Sequence, residues 1–350
     1  MNADTPRDAA LIALDWGTSS LRAYRMNAGG GILDTRHLPW GIMRLPAPPA
    51  KAPAPSVPAS GLEPASEQTS GLKPAVGQAS GFELAFEQAC GDWLRAAPGL
   101  PVIACGMVGS AQGWAEAAYL DIPADPRAIG ARLTEVDTRR GATLRIIPGL
   151  LQRQGLPNVI RGEETQVVGV IDSLPDAVDD LLVGLPGTHC KWVRVRGGRI
   201  VEFDTFMTGE VYAALRGHTI LGRTMADRAS PDDAAFQRGL EIAGSPLGRG
   251  GVLSTIFSTR ALGLTGQLTP DAQPDYLSGL LIGHEIGALR ALLDARGMPS
   301  RIVLCGDEDL CRRYASALPR FGLPAPTLAG QAAPRGLWRL AMSAGLLGRP

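Results

Sequence analysis

The chain is short of several things, and each shortage removes a class of function. It has no surplus charge: 34 lysines and arginines balance 34 aspartates and glutamates over 350 residues. That argues against a nucleic-acid binder working through a general basic field, although a local basic pocket stays open. There are only five cysteines, Cys90, Cys105, Cys190, Cys305 and Cys311, an odd number with no CxxC pair. Such usage excludes a disulfide frame and a structural zinc site, and it points to reduced thiols in a cytoplasmic protein. No stretch approaches ~20 uninterrupted apolar residues, so no membrane span is expected. The opening MNADTPRDAA carries two acids without an apolar core and does not read as a signal peptide. The GxxxxGK(S/T) pattern of a P-loop is missing as well, which removes that kind of nucleotide site.

What is present is a globular composition, 45% hydrophobic and 19% charged, long enough for two domains. The landmark is LIALDWGTSSLRAYRM, Leu11–Met26. Four apolar residues run into Asp15, a polar turn follows, and the chain returns through Leu21, Ala23 and Tyr24. This reads as a buried strand, a tight turn and a return strand. Gly17 lets backbone N–H groups approach an anion, and the hydroxyls of Thr18 and Ser19 add donors. Asp15 at the strand end is placed to hold a hydrated Mg²⁺. An ordinary hairpin with a polar turn would explain the same residues, but a second copy exists. Leu181–Leu185 runs into Pro186, Gly187, Thr188, His189 and Cys190, and the chain returns as KWVRVR. Two such units suggest two similar lobes, each offering a turn to one ligand.

Between the landmarks the composition changes. Seven prolines fall from Pro46 to Pro64, and a ten-residue repeat follows in three copies, Ser60–Thr69, Ser70–Ala79 and Ser80–Ala89. Ten residues around a central proline cannot share a core, so 46–80 is expected to be a flexible insertion. The third copy lacks that proline and places Phe82, Ala85, Phe86, Ala89 and Trp93 at helical spacing. A short strand, Leu100–Cys105, delivers the glycine-rich GMVGSAQGW, Gly106–Trp114. GEETQVVGVID, Gly162–Asp172, has the form of a helix start with two acids in its first turn. Strands alternate with helices in both halves, which makes the class α/β. The expected division is 1–178 and 179–350.

The blocks LDWGTSSLR, CGMVGSAQGW, IRGEETQ, LPGTHCKW, FMTGE, GHTILGR, YLSGLLIGHE and LCGDE occur in an order that resembles the 2-dehydro-3-deoxygalactonokinase family. That family lies within the sugar kinase and actin superfamily. The resemblance implies a two-lobed actin-like ATPase fold, duplicated ribonuclease-H-like domains with an inter-lobe cleft. It further implies ATP-dependent phosphorylation of 2-dehydro-3-deoxy-D-galactonate to its 6-phosphate. Gly17, Thr18 and Ser19 would cradle phosphates from one lobe and Gly187, Thr188 and His189 from the other. Asp15 would bind Mg²⁺ through water, and Gly306 with Asp307 would meet the adenosine. The second turn departs from the superfamily, since Leu185 stands where the first has Asp15; the galactonate-type kinases share this LPGTH form.

Phosphoryl transfer needs alignment, charge neutralisation and a group to take the hydroxyl proton. Glu163 and Glu164 are the candidates for that base, although acids in a first helical turn also favour the helix dipole without any catalytic task. Arg22, Met107, Ser110, Trp114 and Arg161 are the candidate contacts for the sugar acid. The expected partners are a small sugar acid and ATP, with neither nucleic acid nor membrane; a homo-oligomer is left open. The competing readings are a kinase of another 2-keto-3-deoxy sugar acid and a non-catalytic nucleotide or sugar-acid sensor.

Overall fold

The computed structural model describes residues 8–47, 80–174, 179–227 and 230–347. The proline-rich stretch and the first two decapeptides, expected as a flexible insertion, lie outside the described residues. The chain forms two compact units, one of residues 1–118, 132–148 and 344–350, the other of residues 119–131 and 149–343.

The first unit opens with β1 (Ala9–Trp16), β2 (Leu21–Asn27) and β3 (Ile32–Leu38), followed by helix α1 (Gly81–Ala96) and β4 (Val102–Cys105). The chain leaves for β5 (Tyr119–Asp121) and α2 (Pro126–Gly130) of the second unit, then returns as β6 (Thr134–Asp137) and β7 (Thr143–Ile146). The sheet order is β3-β2-β1-β4-β7-β6. β1 lies antiparallel to β2 and parallel to β4, so it is covered on both sides. That position explains its unbroken apolar run, in which Leu11 to Leu14 are fully buried. Helix α1 starts where the third decapeptide loses its proline. The Ser80 hydroxyl accepts the Glu83 N–H at 3.2 Å and caps it. Its apolar face buries Ala85, Phe86, Ala89 and Trp93, and each buried aromatic contributes about 2 kcal/mol.

The second unit carries β8 (Gly149–Gln152) and β9 (Asn158–Ile160), which form a small sheet with β5, then helix α3 (Glu163–Ser173). Its main sheet is made of β10 (Asp180–Leu185), β11 (Cys190–Arg196) and β12 (Arg199–Phe206), joined after several helices by two more strands. The helices are α4 (Thr208–His218), α5 (Asp233–Gly244), α6 (Val252–Thr255), α7 (Ser258–Leu264) and α8 (Gln273–Arg296). Then come β13 (Arg301–Cys305), α9 (Glu308–Ala317), β14 (Thr327–Ala329) and α10 (Ala332–Ser343). The order is β12-β11-β10-β13-β14.

The two main sheets share one plan. In each, the first strand sits between an antiparallel second strand and a parallel fourth, and the third strand pairs antiparallel with the second. A parallel fifth strand follows the fourth, β7 in one unit and β14 in the other. This duplicated α/β plan is the two-lobed actin-like fold. Among the described residues no helix is long and apolar enough to cross a membrane.

The second unit takes in β8, β9 and α3, all of which precede residue 178. Helix α3 belongs there because it packs on α10 with backbone against backbone. A Cβ on Gly169 would lie 1.9 Å from the Ala332 carbonyl oxygen, and one on Gly336 would lie 1.8 Å from that of Thr165. Gly169→Ala is therefore expected to destabilise the protein by about 1–3 kcal/mol through overpacking. Gly217→Ala, in helix α4 with nothing near its added methyl, should instead stabilise by up to about 1 kcal/mol. Urea unfolding of both variants checks the pair, and equal effects would contradict the close crossing.

Candidate active site

Each glycine-threonine turn is pinned by a neighbouring segment. In the first, the Gly17 N–H donates to the Ser20 carbonyl at 2.9 Å. Ile42 and Met43 donate to the Gly17 and Thr18 carbonyls at 3.1 and 3.2 Å. Gly41 lies so close that a Cβ there would sit 2.2 Å from the Thr18 carbonyl oxygen. The tip, Thr18 and Ser19, is left exposed. Asp15 ends β1 with its carboxyl 21% exposed, 3.5 Å from Arg22 Nη1 across the strand pair. Burial raises its pKa, against the Arg22 charge and hydrogen bonds from Arg22 and Cys105.

The second turn follows β10. Glu210 N–H donates to the Thr188 carbonyl at 2.9 Å, and a Cβ on Gly209 would lie 2.3 Å from the Gly187 oxygen. The FMTGE block thus seats the first turn of α4 against the LPGTH block. Open space surrounds the Cα of Gly187 where a side chain would stand, and Thr188 and His189 are exposed. The His189 ring meets the Glu210 carboxylate through Nε2.

At the start of α3 the two acids part company. Gly162 takes φ 104°, a value that suits glycine and turns the chain sharply from β9 into the helix. Glu164 is wholly buried. Its oxygens accept the Gly162 N–H at 2.6 Å and the Thr165 hydroxyl at 3.0 Å. Burial, reinforced by the charge of Glu163, pushes its pKa up to about 7. Glu163 is half-buried and accepts the Arg161 N–H at 2.9 Å. Burial raises its pKa too, opposed first by the charge of Lys191 and less strongly by His189. Lys191 is 6% exposed on β11, and its own pKa is lowered by burial and supported by Glu163. Arg161 stands between β9 and α3 with its guanidinium 4.3 Å from the centre of the Tyr119 ring.

A cavity of about 480 Å³ opens beside the second turn, within the size range of small-molecule sites. Gly187 and Thr188 border it with Asp307, Tyr212 of α4, Ser278 of α8 and Arg313 of α9. Gly306 enters the turn before α9 at φ 152°, and a Cβ there would press on the Pro186 carbonyl at 3.2 Å. Asp307 caps α9 by accepting the Leu310 N–H at 3.0 Å. Gly187 with Thr188, and Asp307 far from them in sequence, are thereby brought to one cavity, with Gly306 at the turn beside it.

The other expected contacts have local employment. The Ser110 hydroxyl donates to the Met107 carbonyl at 2.8 Å. Met107 packs against the core of the first unit. The Trp114 ring joins Trp16, Phe82 and Phe86, with ring centroids 5.7 to 6.0 Å apart. Gly106, at φ 93°, would place a Cβ 2.7 Å from the Trp16 oxygen, so its loop folds against the end of β1. Arg22 is turned to Asp15. The cavity itself and the proximity of Lys191 to Glu163 carry no local sequence signal, because their members come from separate elements.

The profile of the 2-keto-3-deoxy-galactonokinase family matches residues 15–340. The 2-dehydro-3-deoxygalactonokinase of Escherichia coli (strain K12) is 33% identical over 326 residues, spanning 93% of this chain and 94% of that protein. A relative from Rhizobium meliloti (strain 1021) is 34% identical over 318 residues, 89% of each chain. A solved structure from Sinorhizobium meliloti, 32% identical, superposes with a TM-score of 0.74 over 95% of this chain and 98% of that one. With the duplicated sheets, the two pinned turns and the acid pair at α3, these matches establish that the chain belongs to the 2-keto-3-deoxy-galactonokinase family.

Proposed function

We propose that this protein transfers the terminal phosphoryl group of ATP to the 6-hydroxyl of 2-dehydro-3-deoxy-D-galactonate, within the breakdown of D-galactonate in the cytoplasm. The observation that carries the reading is Glu163, a carboxylate held by backbone at the mouth of α3 and facing the positive field of Lys191. Its oxygen accepts the proton of the attacking hydroxyl as the bond from that oxygen to phosphorus forms and ADP departs. Glu164, with both oxygens occupied by Gly162 and Thr165, braces the turn that presents Glu163.

The remaining roles follow from chemistry. Gly187 and Thr188 meet phosphate oxygens in the second unit, His189 stands beside them, and Asp307 with Gly306 meets the nucleoside. In the first unit Gly17, Thr18 and Ser19 present an exposed turn suited to phosphate. Asp15 fits an Mg²⁺ held through water. Among the described residues no group of three or more His, Cys, Asp or Glu forms a cage, and Mg²⁺ takes one or two carboxylates plus phosphate oxygens in such sites. Bound there, the ion would neutralise charge on the phosphates. Arg161 supplies a planar cation for the substrate carboxylate.

Glu163→Gln is expected to lower kcat about 10²- to 10⁴-fold while ATP still binds by titration calorimetry. Unchanged turnover would remove Glu163 as the base. Glu164 yields a separate pH test. Its folded pKa of about 7 lies above the ordinary 4.5, so the protonated form favours the native state. That stability is fully present below about pH 4.5 and is lost as pH rises towards 7. Glu164→Gln should remove this slope, worth ~3 kcal/mol, in urea unfolding between pH 5 and 8. A slope identical to the parent protein would contradict the buried acid.

A further inference from the structure

We propose that Glu285 is a positioning residue of the nucleotide site, holding in register the elements that wall the 480 Å³ cavity. The inference rests on the reading of that cavity as the place of the nucleotide. Glu285 lies on α8, one turn beyond the cavity-lining Leu281 and Ile282, and is itself 3% exposed. It does not touch the cavity. Its Oε1 accepts the Trp192 indole N–H at 2.8 Å, and its Oε2 accepts the Tyr314 hydroxyl at 2.6 Å. The Thr208 side chain lies near enough to help keep that carboxyl charged, against the burial that raises its pKa.

Each of the three belongs to a different element. Trp192 is on β11, Tyr314 on α9, and Thr208 opens α4. Thr208 and Tyr314 both line the cavity. With its proton given to Glu285, the Tyr314 oxygen lies 3.0 Å from Cys190 Sγ, whose thiol donates to the Gly187 carbonyl at 3.4 Å. One carboxylate therefore ties α8, α9 and β11 together beside the first turn of α4, and Tyr314 with Cys190 leads from it to the backbone of the phosphate turn.

A carboxylate is a costly choice for a core. An apolar residue of similar size would pack more cheaply, and burial is offset only when donors converge on both oxygens. Here they do, and removal of the acceptor would strand the buried Trp192 and Tyr314 donors of two elements at once. A residue kept only for packing has no need of partners distributed around a single cavity. The arrangement sets the separation of the cavity walls, and with it the fit of a nucleotide.

The test uses the full chain and Mg²⁺-ATP as probe. Tyr314→Phe keeps the ring and removes the hydroxyl. It is expected to weaken ATP binding about tenfold by titration calorimetry, and to raise KM for ATP while KM for the sugar acid stays within about twofold. Glu285→Leu should do the same more strongly. Glu285→Gln should recover most of the loss, since its amide oxygen accepts from Trp192 and its N–H donates to the Tyr314 oxygen. Parent-like ATP affinity in Tyr314→Phe and Glu285→Leu, with only a lowered unfolding midpoint, would overturn the proposal. Ser278→Trp separates the two levels of inference by filling the cavity. If it abolishes ATP binding while Tyr314→Phe has no effect, the positioning role alone falls. If ATP binds Ser278→Trp normally, the cavity is not the nucleotide site and both fall.

Discussion

The two glycine-threonine turns hold their shape by backbone contact, and the rest of each unit is arranged around that constraint. In both units the carbonyls of the glycine-threonine turn are bound from behind. Ile42 and Met43 take those of Gly17 and Thr18, and Glu210 with Cys190 takes those of Thr188 and Gly187. Backbone contact replaces side chains at Gly41 and Gly209, where a methyl group would collide with the turn. The tips are exposed while their frames are held from behind, so an anion bound there would cost little conformational entropy. Helix α4 has no buried residue of its own, yet its first turn is held tightly against Gly187 and Thr188.

Buried charge is distributed by the same logic. Glu163 and Lys191 lie near enough to moderate each other's pKa, so the one carboxylate with an ammonium in its field is also the one left partly open. Glu164, wholly enclosed, is supported by its own N–H, that of Gly162 and the Thr165 hydroxyl, with no cation among the groups that lower its pKa, and rises towards neutrality. Two adjacent acids on one helix turn thus acquire different chemistry from their surroundings. On α8, Asp275 pairs with Arg313, whose guanidinium lies 4.9 Å from the Phe236 ring centre. Glu285, nearly three turns further, relies on neutral donors instead.

The parts legible in sequence were those whose meaning is local. Strand, turn and return strand follow one another in both landmarks, and the apolar run of β1 announces its central place. The acids of GEETQ stand in the first turn of α3, as the pattern required. Residues whose partners are distant were harder to read. Trp114, expected as a contact for the sugar acid, also packs with Trp16, Phe82 and Phe86, partners that no local pattern announces. Arg22 and Ser110, candidate contacts in the sequence, bond to Asp15 and the Met107 carbonyl, which residue type alone does not foretell. The division at 178 followed motif order, whereas α3 is drawn to α10 by glycines some 167 residues apart in sequence (336 − 169). The cavity draws on α4, α8 and α9, and no spacing within one element reveals it.

The most direct measurement is coupled ADP release with Mg²⁺-ATP, offering 2-dehydro-3-deoxygalactonate, its gluconate epimer and a control without acceptor. A kinase of this family acting on the galactonate-derived acid releases ADP with that acceptor, strongly in preference to the epimer and far above the control. Folded protein that binds ATP yet releases no ADP above the control with either acid would contradict the proposed reaction.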